Sequence, residues 1–70
     1  MAARKNLRKF RIDHDLNQSE FCEKIGYDRK VLYFVENDIK EGSAKFWEAV
    51  RTTFGLNDKE IRELKKIAEN

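Results

Sequence analysis

The stretch that decides the fold runs from residue 18 to residue 37 and reads QSEFCEKIGYDRKVLYFVEN. It predicts two short helices joined by a turn at Gly26, because glycine adopts a left-handed backbone at little cost. The first helix follows Asn17, and Glu20, three residues later, completes a capping box. Its apolar residues recur at helical spacing. They are Phe21, Cys22 and Ile25.

The second helix of this stretch is predicted over residues 29–36, with Asp28 as its N-cap. Arg29 and Lys30 begin the helix as exposed cations, whereas its other side faces inward. The inward residues are Leu32, Val35 and Glu36. A second helix that begins with exposed cations and hydrogen-bonding side chains suits the major groove of DNA.

These residues resemble the helix-turn-helix of the XRE family, the phage repressor and Cro-like DNA-binding proteins. Counted from Gln18, the family motif has apolar residues at positions four, fifteen and eighteen, a small residue at five and glycine at nine. This chain has Phe21, Leu32, Val35, Cys22 and Gly26 there. The resemblance covers residues 4–64. It implies an all-α, compact five-helix domain of the lambda-repressor-like type, and a sequence-specific transcriptional regulator of phage or mobile-element kind, such as a repressor.

The resemblance also implies which side chains read DNA bases from the second helix. They are Arg29, Lys30, Val31, Tyr33 and Phe34. Arginine and lysine suit guanine O6 and N7, and a valine methyl suits the thymine methyl. Relatives more often carry polar residues at the two aromatic positions. The aromatic pair is therefore open to three interpretations: contact with thymines, contact with a protein partner, or additional cover for the core.

Cations cluster at the amino end, with five among the first eleven residues and no acid. This cluster predicts a surface that faces DNA phosphates, since each cation releases counterions on contact; a solvated helix face is the alternative. We assign phosphate contacts to Arg4, Lys5, Lys9 and Lys40, together with Gln18. In the family this glutamine contacts the DNA backbone and supports a residue at the start of the second helix, here Arg29.

Arg11 lies four residues after Leu7 and leans inward, where an unpaired charge is costly. Glu36, on the inward face of the second helix, is the predicted partner in a structural ion pair, and the family resemblance supports this pairing. The loop after Glu36 departs from the family, because Asp38 replaces its usual glycine. Asp38 and Glu41 are expected to offset the charge of Lys40 near the phosphates and to lower non-specific affinity.

Three further helices are predicted, over residues 3–13, 44–54 and 58–69, with Gly55 ending the second of them. Asn57 and Glu60 form a second capping box. The inward stripes of the last two helices share helical spacing. The stripe of the helix over residues 44–54 is Trp47, Val50 and Phe54, and the stripe of the helix over residues 58–69 is Ile61, Leu64 and Ala68. Residues 1–70 are read as one domain with its motif at 18–37.

Composition limits the other classes of function. One cysteine excludes an internal disulfide, and one histidine without carboxylate partners leaves no catalytic or metal-ligating constellation. We therefore expect no enzyme, no cofactor and no metal. No apolar run has membrane-spanning length and no secretory leader opens the chain, so a cytoplasmic location away from membranes is expected. The net charge of +2 neither requires nor excludes nucleic acid.

The partner implied by the resemblance is double-stranded DNA, bound by a homodimer on a near-palindromic site. By analogy with the family, Leu56, Asn57 and Ile61 mark the dimer contact, and Ile67 lies partly outside the inward stripe. An alternative is a protein-binding modulator of the antirepressor kind on the same scaffold. It would use Tyr33, Phe34 and Ile39 as an apolar patch, because exposed aromatic pairs are common at protein interfaces.

Overall fold

A computed structural model describes residues 2–69, of which Glu69 is described by its backbone alone. This part of the chain holds five helices and one pair of two-residue strands, so the expected helical fold is confirmed. In chain order they are β1 (Ala2–Ala3), α1 (Lys5–Asp13), α2 (Gln18–Ile25), α3 (Arg29–Glu36), α4 (Ala44–Phe54), α5 (Asp58–Lys65) and β2 (Ala68–Glu69).

Local capping signals set most of the helix ends. Both predicted capping boxes are present, at Asn17 for α2 and at Asn57 for α5. Asp28 caps α3 by accepting a hydrogen bond from the amide of Lys30 at 2.8 Å. Gly26 ends α2 in the left-handed conformation with φ of 78°. The turn between α2 and α3 therefore follows directly from the sequence, as predicted.

The core is one cluster to which all five helices contribute. Leu7 comes from α1 and Leu32 from α3, and the other members come from α2, α3, α4 and α5. Those other buried apolar residues are Phe21, Cys22, Ile25, Val35, Phe46, Trp47, Val50, Ile61 and Leu64. The inward faces predicted for α2 and α3 are confirmed. Because α3 buries one side in this cluster, its opposite side is left to face outward.

The two ends of the chain differ from the prediction. α1 begins at Lys5 rather than at residue 3, and α5 ends at Lys65 rather than at residue 69. The terminal residues instead pair as antiparallel strands, with Ala2 opposite Glu69 and Ala3 opposite Ala68. Strand pairing gives these backbone groups partners that the frayed end of a helix would lack. The placement of Ala68 on the inward stripe of α5 is therefore wrong.

The loop between α3 and α4 folds over the single tryptophan. Asp38 has a left-handed backbone, with φ of 53°. The indole Nε1 of Trp47 donates a hydrogen bond to the carbonyl of Glu41 at 3.1 Å. Gly42 has φ of 85°, and a Cβ on it would lie 2.8 Å from that Nε1 atom. Trp47 thus belongs to the core, as predicted, and holds the loop in place.

Candidate nucleic-acid interface

An open groove of about 730 Å³ runs along the outer side of α3. Its walls are the first turns of α1, the beginning of α2 and the strand β1. The residues that line it are Ala2, Ala3, Lys5, Arg8, Arg11, Asn17, Gln18, Ser19, Arg29, Tyr33, Glu36 and Asn37. The groove therefore brings together three helices whose predicted DNA contacts lie far apart in the sequence.

Cations from two helices converge on this groove. Lys5 and Arg8 are exposed side chains of α1, and Arg29 is the exposed first residue of α3. Among the described residues lining the groove, Glu36 is the only carboxylate, and it is paired with Arg11. Clustered charges of one sign raise the local concentration of oppositely charged ligands. The groove is thus suited to a polyanion.

Glu36 anchors the floor of the groove. Its carboxylate is 4% exposed and accepts a hydrogen bond from Arg11 Nε at 2.8 Å. The amide of Gln18 also donates to it, with Nε2 lying 3.2 Å from Oε1. The predicted ion pair is therefore confirmed, and it links α3 to α1. The hydrogen bond of Gln18 goes to Glu36 rather than to Arg29, so the support that the resemblance implied for Arg29 is replaced by support for Glu36.

The side chains predicted to read bases are distributed over two faces of α3. Arg29 and Tyr33 line the groove, and Lys30 is exposed beside Arg29. Val31 is partly buried and packs against the core.

Phe34 is half-buried, and its ring contacts Tyr33 with the two centroids 6.0 Å apart. Lys40 Nζ lies 5.2 Å from the centroid of the same ring. Base reading stays a prediction for these residues. Arg29 and Tyr33, however, have side chains on the groove.

The structure contradicts the phosphate contact predicted for Arg4. This side chain is 4% exposed, and its Nη1 donates to the carbonyl of Val35 at 2.8 Å and to Asp38 Oδ1 at 3.3 Å. A guanidinium enclosed in this way has no access to a DNA phosphate. Because it lies before the first turn of α1, Arg4 packs under the end of α3 instead of joining the exposed cations.

Two other predicted phosphate residues lie outside the groove lining. Lys9 is exposed, and its ammonium pairs with Asp13 Oδ2 at 2.9 Å. This hydrogen bond holds the pKa of Lys9 above its ordinary value. Lys40 lies over Phe34. Of the predicted phosphate residues, Lys5 and Gln18 line the groove.

Sequence reasoning omitted Arg8 from the predicted phosphate contacts. Its position held the signal, because Arg8 is three residues from both Lys5 and Arg11 and shares a helix face with them.

The beginning of α2 adds backbone donors to the groove. Asn17, Gln18 and Ser19 line it. The capping box already engages the amides of Asn17 and Glu20, so the first-turn amides without an intrahelical acceptor are those of Gln18 and Ser19, and the helix dipole makes this end partly positive. A phosphate lying against this end would receive hydrogen bonds as well as charge attraction.

Exposed apolar side chains lie at the far end of α3 and beyond it. Tyr33 is 49% exposed and Ile39 is 58% exposed. Ile67 is also exposed, whereas Ile61 is buried and Leu56 packs against the core. The structure therefore removes Ile61 from the predicted dimer contact, because its side chain already belongs to the core.

No family model matches the chain, and no curated protein or solved structure is significantly similar to it. The resemblance to the XRE family stays a prediction that rests on the residues of the motif. None of the helices within residues 2–69 is both long enough and apolar enough to cross a lipid bilayer.

Proposed function

We propose that the protein is a sequence-specific DNA-binding transcriptional regulator of the lambda-repressor-like, helix-turn-helix type. The observation that carries the proposal is the convergence of Lys5, Arg8 and Arg29 on one groove beside the beginning of α2. Three local features of the chain support it together: the capped α2, the glycine turn and the cationic start of α3.

In the proposed complex, the beginning of α3 enters the major groove. Arg29 donates two hydrogen bonds to guanine O6 and N7, with Lys30 as a neighbouring donor. Tyr33 lies one turn further along the same face and contacts base edges or methyl groups. The lining of the groove by Arg29 and Tyr33 supports these assignments.

Phosphate contacts in this proposal come from Lys5, Arg8 and the beginning of α2. These groups surround α3 and fix its register on the duplex without reading sequence. The protein acts as a homodimer, which places two copies of α3 about one helical turn of DNA apart on a near-palindromic site. The occupied site lies in a promoter, where the bound protein regulates transcription.

Selection of duplexes from a randomised pool, followed by fluorescence anisotropy, tests the proposal. We expect the purified protein to enrich a short, near-palindromic sequence and to bind it in a salt-sensitive manner. Arg29→Ala should lose about 1–3 kcal/mol of discrimination at one base pair, since it removes one bidentate contact. Lys59→Ala, which removes an exposed cation on α5, is the matched control. A pool that yields no enriched sequence contradicts the proposal.

A second candidate function is favoured by the exposure of Tyr33 and Ile39. In it, these residues and Phe34 bind a protein, as in an antirepressor-like modulator. Phe34→Ala would then abolish activity in cells while Arg29→Ala would leave it intact. The reverse result favours DNA reading.

A further inference from the structure

The end of α3 is held by a residue from the start of the chain. The last four carbonyls of a helix lack intrahelical partners and need donors from elsewhere. Within α3, the carbonyls of Tyr33, Phe34 and Val35 accept from backbone amides of the following loop, so that among these four carbonyls Glu36 depends on Arg4 for its backbone donor. The carbonyl of Glu36 accepts from the backbone amide of Arg4 at 2.7 Å. The carbonyl of Val35 accepts from Arg4 Nη1 at 2.8 Å.

Arg4 also supplies charge that α3 lacks. The last turn of α3 contains no basic residue, although a cation is favourable at the partly negative end of a helix. The guanidinium of Arg4 lies at this end and bonds to Asp38 Oδ1 at 3.3 Å and to the carbonyl of Lys40 at 3.2 Å. One side chain thus joins the end of α3 to the loop that follows it.

The position of Arg4 is itself fixed from two sides. It lies between β1, which pairs with β2, and the first residue of α1. Its Nε atom is buried and has no hydrogen-bond partner within the part of the chain that the structure describes. A buried donor without a partner is unfavourable and asks for an explanation. We attribute the unsatisfied Nε to the orientation of the guanidinium, which places Nη1 within hydrogen-bond distance of three oxygen atoms at the end of α3 and in the loop after it.

We propose that Arg4 is a positioning residue for DNA reading. It sets the angle at which α3 presents Arg29 and Tyr33 to the major groove of DNA. This inference rests on the proposed function. α3 has eight residues and is about 12 Å long, so a tilt of about 10° at its clamped end displaces its beginning by about 2 Å. Bidentate contacts to a base are lost when the side chain is displaced in this way, whereas contacts to phosphates tolerate the displacement.

The test compares binding to the selected duplex with binding to a scrambled duplex, for Arg4→Met and Arg4→Lys. We expect Arg4→Met to weaken binding to the selected duplex about tenfold, as when only a tenth of the molecules hold the competent orientation. Binding to the scrambled duplex should change little. Arg4→Lys restores one donor and the charge, and should recover part of the loss.

Leu64→Ala is the matched control for stability, because Leu64 is a buried residue of α5. At a temperature where both proteins are folded, Leu64→Ala should keep the ratio of the two affinities. Equal ratios for Arg4→Met and wild type would overturn the positioning role. A parallel loss on both duplexes with a flatter salt dependence would overturn it as well, because that result indicates a phosphate contact.

Hydrogen exchange separates failure of this inference from failure of the proposed function. The amides of Ile39 and Lys40, which donate to the carbonyl of Phe34, should exchange faster in Arg4→Met than in Leu64→Ala. If the wild-type protein distinguishes no duplex while Arg4→Met still shows this faster exchange, the DNA function is overturned and the attachment of Arg4 to the end of α3 stays established. If the wild-type protein binds a specific duplex but exchange is unchanged in Arg4→Met, only the positioning role of Arg4 is overturned.

Discussion

Replacing Glu36 with glutamine tests the element that joins α3 to α1. The carboxylate is 4% exposed and accepts hydrogen bonds from Arg11 Nε at 2.8 Å and from Gln18 Nε2 at 3.2 Å. Glutamine keeps the shape of the side chain and removes its charge, so the guanidinium of Arg11 is left without a counter-ion in a mostly buried site. Removing one member of a buried pair typically costs about 3–5 kcal/mol.

That cost is large for a chain of this length. At about 0.05–0.15 kcal/mol per residue, 70 residues give a free energy of unfolding of about 4–10 kcal/mol. Each kcal/mol shifts the melting temperature of a domain of this size by about 4–8 °C. We therefore expect Glu36→Gln to melt at least about 12 °C below wild type, measured by circular dichroism at 222 nm.

The double variant Arg11→Met/Glu36→Leu separates the pair from its surroundings. Because an apolar replacement of both partners leaves no unpaired charge, it should regain most of the stability lost in Glu36→Gln. An unchanged melting temperature in Glu36→Gln would refute the reasoning, since the ion pair would then contribute nothing to the packing of α1 on α3. A double variant as unstable as the single would place the loss in packing instead.

Two further predictions concern charge and backbone. Arg8→Ala should reduce the slope of log affinity against log salt by about 0.9, the value for one phosphate contact. Lys9→Ala should leave the slope unchanged, because Lys9 lies outside the groove. Equal slopes for both variants contradict the assignment of Arg8, and not Lys9, to a phosphate contact. Gly42→Ala should destabilise more than Gly26→Ala in urea titrations. Both glycines have positive φ, which costs about 1–2 kcal/mol with a side chain, but only at Gly42 would the new Cβ meet Trp47, at 2.8 Å. A larger loss of stability for Gly26→Ala than for Gly42→Ala would contradict the packing of the loop between α3 and α4 against Trp47.

The parts of the structure that could be predicted from the sequence depend on nearby residues. The capping boxes at Asn17 and Asn57 join residues three apart, and the left-handed turn needs only Gly26. The ion pair between Arg11 and Glu36 spans 25 residues, yet both members lie on inward helix faces and each needs the other. Local pattern and the cost of a buried charge, supported by the family resemblance, predicted that pair.

The parts that could not be predicted depend on contacts between distant segments. The pairing of Ala3 with Ala68 joins opposite ends of the chain, and alanine has no preference that signals a strand. This pairing in turn carries Arg4 under α3, so a residue that composition assigned to the exposed cations becomes buried. Lys9 was different, because the sequence held a signal: it lies two residues from the inward Arg11, and residues so spaced do not share a helix face.

The same contacts revise the charge that a polyanion would meet. The sequence placed Asp38 among the acids that offset the cations, but its carboxylate pairs with Arg4 at 3.3 Å. Glu36 is neutralised by Arg11 in the same way. Both acids beside the end of α3 are thus matched by arginines, and neither opposes Lys5, Arg8 and Arg29. Each pairing also withdraws an arginine, so the net charge of +2 is unchanged; the positive potential of the groove comes instead from the convergence of the exposed cations on one surface, and the exposed Glu41 still offsets Lys40 in the loop.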